Sequence, residues 1–194
     1  MLTDKLRVQV ARVALPLGRV LGNAGLTANG ITVAGTVLTG VVCLLVVGGH
    51  PVSAAWLLLV GGLFDMLDGA VAKSMGTTSL AGSFLDSTLD RVSDGMLFAA
   101  LAWYQAVDGT RIGLALALAT GLLAFLTSYI RAKAESLGLT CNVGLVERWL
   151  RLLLVGVGLA FNVLLPALGV LLVLSLHTVL KRFFHVFRKA QAPL

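Results

Sequence analysis

Charge is what this sequence has least of. Only 12% of its 194 residues are Asp, Glu, Lys or Arg, and just nine are acidic. A soluble domain carries roughly one quarter. Hydrophobic residues reach 58% and mean hydropathy is +0.95, which excludes an ordinary soluble domain and predicts a membrane protein. Cysteine is nearly absent. Cys43 and Cys141 stand far apart and neither has a neighbour at metal-ligand spacing, so neither a disulfide framework nor a thiolate metal site is expected. The three histidines, His50, His177 and His185, show no ligand spacing either. Short alternating apolar and polar segments are missing, which argues against a transmembrane barrel. No polar basic segment with interleaved aromatics exists, so no nucleic-acid partner is expected. At the N-terminus no small-residue cleavage site follows a compact apolar core, so a cleaved signal is not expected.

Long apolar runs are what the chain does have. Residues 2–21 interleave apolar positions with Arg7, Arg12 and Arg19 and read as an amphipathic helix on the membrane surface, with a kink at Pro16. Six apolar segments follow, separated by turn signals such as Gly48-Gly49-His50-Pro51 and Asp108-Gly109. Expected spans run from about Gly30 to Val47, Val52 to Asp68, Leu80 to Ala106, Ile112 to about Tyr129, Leu145 to Leu165, and Leu168 to the basic pair Lys181 and Arg182. The fold expected is an all-α integral membrane protein, six transmembrane helices preceded by an N-terminal amphipathic surface helix. Residues 1–25 form the juxtamembrane helix and 26–194 the six-helix domain. The net charge of +6 collects at one side of these spans, with Arg111 the lone exception. The positive-inside rule therefore places both termini in the cytoplasm of a multi-pass cell-membrane protein.

Four carboxylates interrupt the oil. Asp65 and Asp68 are three apart, and Asp86 and Asp90 four apart, so each pair shares a helix face. Both pairs fall at the cytoplasmic ends of their spans. Aspartates at a membrane boundary are costly and commonly mark an ion, proton or substrate site. Four on neighbouring helices make an all-oxygen donor set suited to Mg²⁺ or Mn²⁺ and, through the metal, to a phosphorylated ligand. Small residues Ala70, Ala72, Ala81 and Ser83 should let the two helices pack tightly. Lys73, Thr77, Thr78 and Ser79 can meet a phosphate. Asp94 extends the stripe by one turn and reads equally well as a partner for Arg91 or Ser93 or as a further ligand.

The stretch resembles the signature of the CDP-alcohol phosphotransferase family, D-x-x-D-G-x-x-A-R, then eight residues, then G-x-x-x-D-x-x-x-D. Asp65, Asp68, Gly69, Ala72, Gly82, Asp86 and Asp90 fall at its positions, and Lys73 stands where the family usually has Arg. The resemblance implies a CDP-linked lipid, usually CDP-diacylglycerol, held on two divalent ions (Mg²⁺, with Mn²⁺ as the alternative). It implies Asp65, Asp68, Asp86 and Asp90 as metal ligands and Asp90 as the base on the acceptor alcohol. Asn29, Thr32, Asp68, Gly69, Ala72, Lys73 and Ser79 are then expected to bind CDP-diacylglycerol, and a homodimer is implied by analogy.

The segments around Arg131 and Lys133 and around Glu147, Arg148 and Arg151 look like one branch of that family, the actinobacterial phosphatidylinositol-phosphate synthases. Arg131 and Lys133 stand in swapped order relative to members with Lys then Arg. This likeness implies inositol 1-phosphate as acceptor, with Arg131, Lys133, Arg148, Arg151 and Arg182 on its phosphate. Alternatives are a phosphatidylglycerophosphate synthase using glycerol 3-phosphate, a cation-coupled transporter, and a scaffold. No internal repeat supports the transporter, and a scaffold leaves the acidic cluster without a reason.

Overall fold

The computed structural model describes residues 14–191. Among them are seven helices and no strand. They are α1 over residues 14–23, α2 Ala28–Val47, α3 Pro51–Ser74, α4 Leu80–Val107, α5 Arg111–Ser136, α6 Arg148–Ala160 and α7 Leu164–Gln191. The expected surface helix lies mostly outside the described residues, with Lys5, Arg7 and Arg12; its described part is α1.

Hydroxyl caps start three of the helices. Thr27 Oγ1 accepts from Gly30 N at 3.1 Å, Ser79 Oγ from Gly82 N at 3.0 Å, and Thr110 Oγ1 from Gly113 N at 2.9 Å. Each satisfies a backbone donor that the first turn leaves free. Gly76, at φ 66°, turns the chain between α3 and α4, a conformation that costs most residues a Cβ clash. The expected break at Leu165-Pro166 is displaced. The turn falls at Asn162 (φ 55°) and α7 begins at Leu164. Pro166 sits in its first turn, where no intrahelical N–H is needed.

Helices α2 to α7 close into a ring. Going round it, α2 packs on α4, α4 on α5, α5 on α7, α7 on α6, α6 on α3, and α3 on α2. Val42, Leu58, Leu97, Leu101, Leu159, Leu168 and Leu171 are fully buried between them. Outside, Leu44, Trp56, Trp103, Leu118, Phe125 and Val173 are exposed. A surface this apolar matches hydrocarbon, not water. Four helices, α2, α3, α5 and α7, are long and apolar enough to cross a membrane. At ~1.5 Å per residue α4 is about 42 Å long, but Asp86, Asp90, Arg91 and Asp94 interrupt it. Helix α6, with 13 residues, is about 20 Å long, short of the ~30 Å hydrocarbon layer.

Helix α1 lies across α3. A Cβ on Gly18 would stand 2.6 Å from the Ala70 carbonyl carbon and 2.8 Å from Val71 N. Only a residue without a side chain allows that approach.

Candidate active site

The two carboxylate-bearing helices do not pack tightly on each other. Helices α3 and α4 are absent from the closely packed pairs, and α2 touches both. The small residues expected to close that contact serve elsewhere. Ala70 meets α1 at Gly18, and Ala72 lines an open cavity. A cleft remains where a close helix contact was expected.

Its first part is a cavity of about 250 Å³. Asn29 and Thr32 line it from α2, Asp68, Gly69, Ala72 and Lys73 from α3, and Ser79 and Asp86 from the turn and α4. These include all seven residues expected to bind the nucleotide lipid. Thr32 Oγ1 donates to Asp68 Oδ2 at 2.8 Å, which ties α2 to α3 and aims the carboxylate. Asp68 itself is only 7% exposed. A Cβ on Gly69 would meet nothing within 4 Å, so the missing side chain leaves room on the cavity wall. A Cβ on Gly82 would press on Asn29 Oδ1 at 3.2 Å, so that glycine lets Asn29 approach the start of α4.

Asp86 also lines a second cavity of about 710 Å³ between α4 and α5, together with Asp90, Arg91, Ser128 and Arg131. Asp86 is thus a wall common to both cavities. Arg91 donates from Nη2 to Ser128 Oγ at 3.0 Å and lies 3.6 Å from Asp90. Arg131 Nε donates to Glu135 Oε1 at 2.9 Å.

Helix α6 brings in the remaining arginines. Arg148 sits between α3 and α4: its Nε lies 2.8 Å from Asp65 Oδ2 and its Nη1 meets Asp90 Oδ1. The Asp65 contact is a charge pair without an aligned N–H, because the buried Nε has no hydrogen-bond partner. One turn on, Arg151 Nη2 donates to Asp94 Oδ2 at 2.6 Å. The hydrogen-bond partner of Asp94 is therefore Arg151, with the Arg91 charge acting on the same carboxylate. Arg182 is buried and donates to two backbone carbonyls, Thr127 O at 2.7 Å and Val143 O at 2.8 Å. It clamps α5 and the following loop to α7. Lys133 is exposed at the end of α5. Of the five basic residues, Arg148 and Arg151 adjoin the carboxylates, Arg131 faces the second cavity, Arg182 holds the loop before α6 and Lys133 is exposed at the end of α5.

Among the described residues, no three of the Asp, Glu, His and Cys side chains converge as a metal centre. The Arg148 guanidinium stands between Asp65 and Asp90. The donor chemistry nevertheless fits a hard divalent cation: Asp68 and Asp86 face one cavity, every candidate donor is a carboxylate oxygen, and Gly69 leaves space beside them.

Residues 25–184 match the model of the CDP-alcohol phosphatidyltransferase family. The chain belongs to this family. It is 36% identical over 197 residues to the phosphatidylinositol phosphate synthase of Mycobacteroides abscessus, covering 97% of this chain and 89% of that protein. Among solved structures it is similar to the Mycobacterium tuberculosis phosphatidylinositol phosphate synthase with CDP-DAG bound, with a TM-score of 0.82 at 33% identity, covering 91% of this chain and 94% of that one. The same enzyme in complex with manganese and citrate gives 0.81 at 32%, covering 90% and 88%. Membership makes the chain an enzyme of phospholipid synthesis and accounts for the all-oxygen donor set at the cleft.

Two features escaped the sequence. One is Arg148 bridging the two aspartate helices, and the other is the Asp94–Arg151 pair. A signal existed for both: Arg148 and Arg151 repeat at i,i+3 while Asp90 and Asp94 repeat at i,i+4, so two facing helices could match them rung for rung.

Proposed function

We propose that the chain transfers the phosphatidyl group of CDP-diacylglycerol to inositol 1-phosphate, releasing CMP. The observation that carries this reading is the cavity beside Asp68 and Asp86, lined by Asn29, Thr32, Gly69, Ala72, Lys73 and Ser79. It offers a cation, hydroxyl and amide donors, and an open glycine wall to a diphosphate and its nucleotide.

Asp65, Asp68, Asp86 and Asp90 would hold two divalent ions, Mg²⁺ or Mn²⁺, which when bound neutralise the diphosphate and stabilise departing CMP. The chain's own residues do the rest. Lys73 supplies a fixed positive charge to a phosphate oxygen. Thr32 orients Asp68. Asp90 accepts the proton of the attacking inositol hydroxyl at a carboxylate oxygen. The hydroxyl oxygen bonds to the lipid-side phosphorus as the bond from that phosphorus to the CMP oxygen breaks. Arg148 and Arg151, with Arg131, Lys133 and Arg182 as the outer basic set, hold the acceptor's phosphate.

In this reading α4 and α6 also cross the bilayer, α4 with its charged turns at the cytoplasmic face and α6 in a locally thin stretch. Both termini and the cleft face the cytoplasm of the cell membrane, and residues 26–194 act as one domain behind the helix of 1–25. The family likeness supports a homodimer as its assembly. The test is CMP release from CDP-diacylglycerol with Mg²⁺ or Mn²⁺, comparing inositol 1-phosphate with glycerol 3-phosphate as acceptor. Release that requires inositol 1-phosphate supports the reading; release with glycerol 3-phosphate alone overturns the acceptor, and no release with either overturns the reaction.

A further inference from the structure

We infer that Asp94 is a positioning residue that aims Arg151, and with it Arg148, at the acceptor's phosphate. The inference rests on the reading of these two arginines as phosphate ligands.

Asp94 is 8% exposed and Arg151 4%. Asp94 Oδ2 takes Arg151 Nη2 at 2.6 Å, while its Oδ1 stands 4.0 Å from Arg148 Nε. One carboxylate thus lies between two guanidiniums that a single turn of α6 brings side by side. Two cations at that spacing repel strongly in a medium of low dielectric. A carboxylate between them removes the repulsion and fixes where each fork points.

The pairing leaves a donor over. Arg151 Nε is buried without a hydrogen-bond partner, whereas Arg148 Nε lies 2.8 Å from Asp65 Oδ2. Buried donors are normally satisfied, so the open Nε of Arg151 marks a place for an acceptor. Arg148 and Arg151 belong to the first turns of α6, whose N-terminal backbone N–H groups favour an anion as well. A phosphate is the ligand class that takes several such donors together. The pair also bridges helices that are not closely packed neighbours, since α4 and α6 are separated by α5 and α7 on one side of the ring and by α2 and α3 on the other.

The sign of the effect separates positioning from bulk charge. Removing a negative charge near an anion site should, through charge alone, tighten anion binding. Loss of positioning should weaken it. Asp94→Asn keeps the shape and one acceptor oxygen, Asp94→Glu keeps the charge, and Arg151→Ala reports the phosphate contact itself. Acceptor KM, CDP-diacylglycerol KM, kcat and thermal midpoint are measured for each in detergent, with inositol 1-phosphate binding read by calorimetry without the lipid substrate.

The expected result is an acceptor KM and Kd raised about 10-fold in Asp94→Asn. The lipid KM should move less than about twofold, Asp94→Glu should recover part of the loss, and Asp94→Asn with Arg151→Ala should be no worse than Arg151→Ala alone. A raised acceptor KM in Arg151→Ala beside an unchanged or lowered one in Asp94→Asn overturns this inference and leaves the phosphate reading standing. An unchanged acceptor KM in Arg151→Ala overturns the phosphate reading and this inference with it.

Discussion

At the scale of single residues, position alone distinguishes the aspartates. Asp68 is buried and oriented by Thr32, Asp86 stands between two cavities, and Asp65 and Asp90 flank one guanidinium. A base must lie beside the acceptor, and Asp90 is the carboxylate that both faces the second cavity and touches Arg148. Asp90→Asn should lower kcat by about 10²–10⁴ while CDP-diacylglycerol still binds; steady-state turnover and equilibrium lipid binding together check this. Thr32→Val removes the bond that aims Asp68 without changing volume. It should cost about 1 kcal/mol of lipid binding, visible as a several-fold rise in CDP-diacylglycerol KM with kcat little changed.

At the scale of the helices, two glycines decide how elements approach. Gly18 brings α1 onto the backbone of α3 at Ala70, and Gly69 leaves the cavity wall bare. Their substitution should have opposite signatures. Gly69→Val places a side chain in open space, so the thermal midpoint should hold while lipid KM rises by more than about 10-fold. Gly18→Leu meets backbone and should push α1 off α3, lowering the midpoint. Arg182 belongs to this scale as well. Its two carbonyl contacts fasten α5 and the α5–α6 loop to α7, and Arg182→Met should destabilise the chain by about 1–3 kcal/mol by removing both bonds and leaving the Val143 carbonyl without that donor; thermal denaturation in detergent measures it.

At the scale of the whole molecule, the helices were legible because their signals are local. Turn signals such as Gly48-Gly49-His50-Pro51 and Asp108-Gly109 announce where the apolar segments end. Four segments long and apolar enough to cross a membrane, α2, α3, α5 and α7, read as spans from hydropathy alone. What escaped was set by tertiary arrangement. The fifth span shrank to α6 because Asn162 turns the chain four residues before Pro166, whose place in a first turn gives no break. The ring order could not be read either, since adjacency in sequence suggested that α3 and α4 touch, whereas α2 lies between them. The candidate residues of the nucleotide pocket were legible from one dense motif, and the structure gathers them round one cavity. For the basic set the structure adds the partners, because equal charges in a sequence do not say which will be paired inside: Arg182 donates to carbonyls, Arg131 to Glu135, and Arg148 and Arg151 meet aspartates.

The most direct test is product formation by the purified chain in lipid vesicles carrying CDP-diacylglycerol, with inositol 1-phosphate and Mn²⁺ or Mg²⁺ added. CMP and phosphatidylinositol phosphate should form in equal amounts, and both should be abolished by chelation of the metal and by Asp68→Asn. Equal turnover in the Asp68→Asn variant, or CMP released without a phosphorylated lipid product, would contradict it.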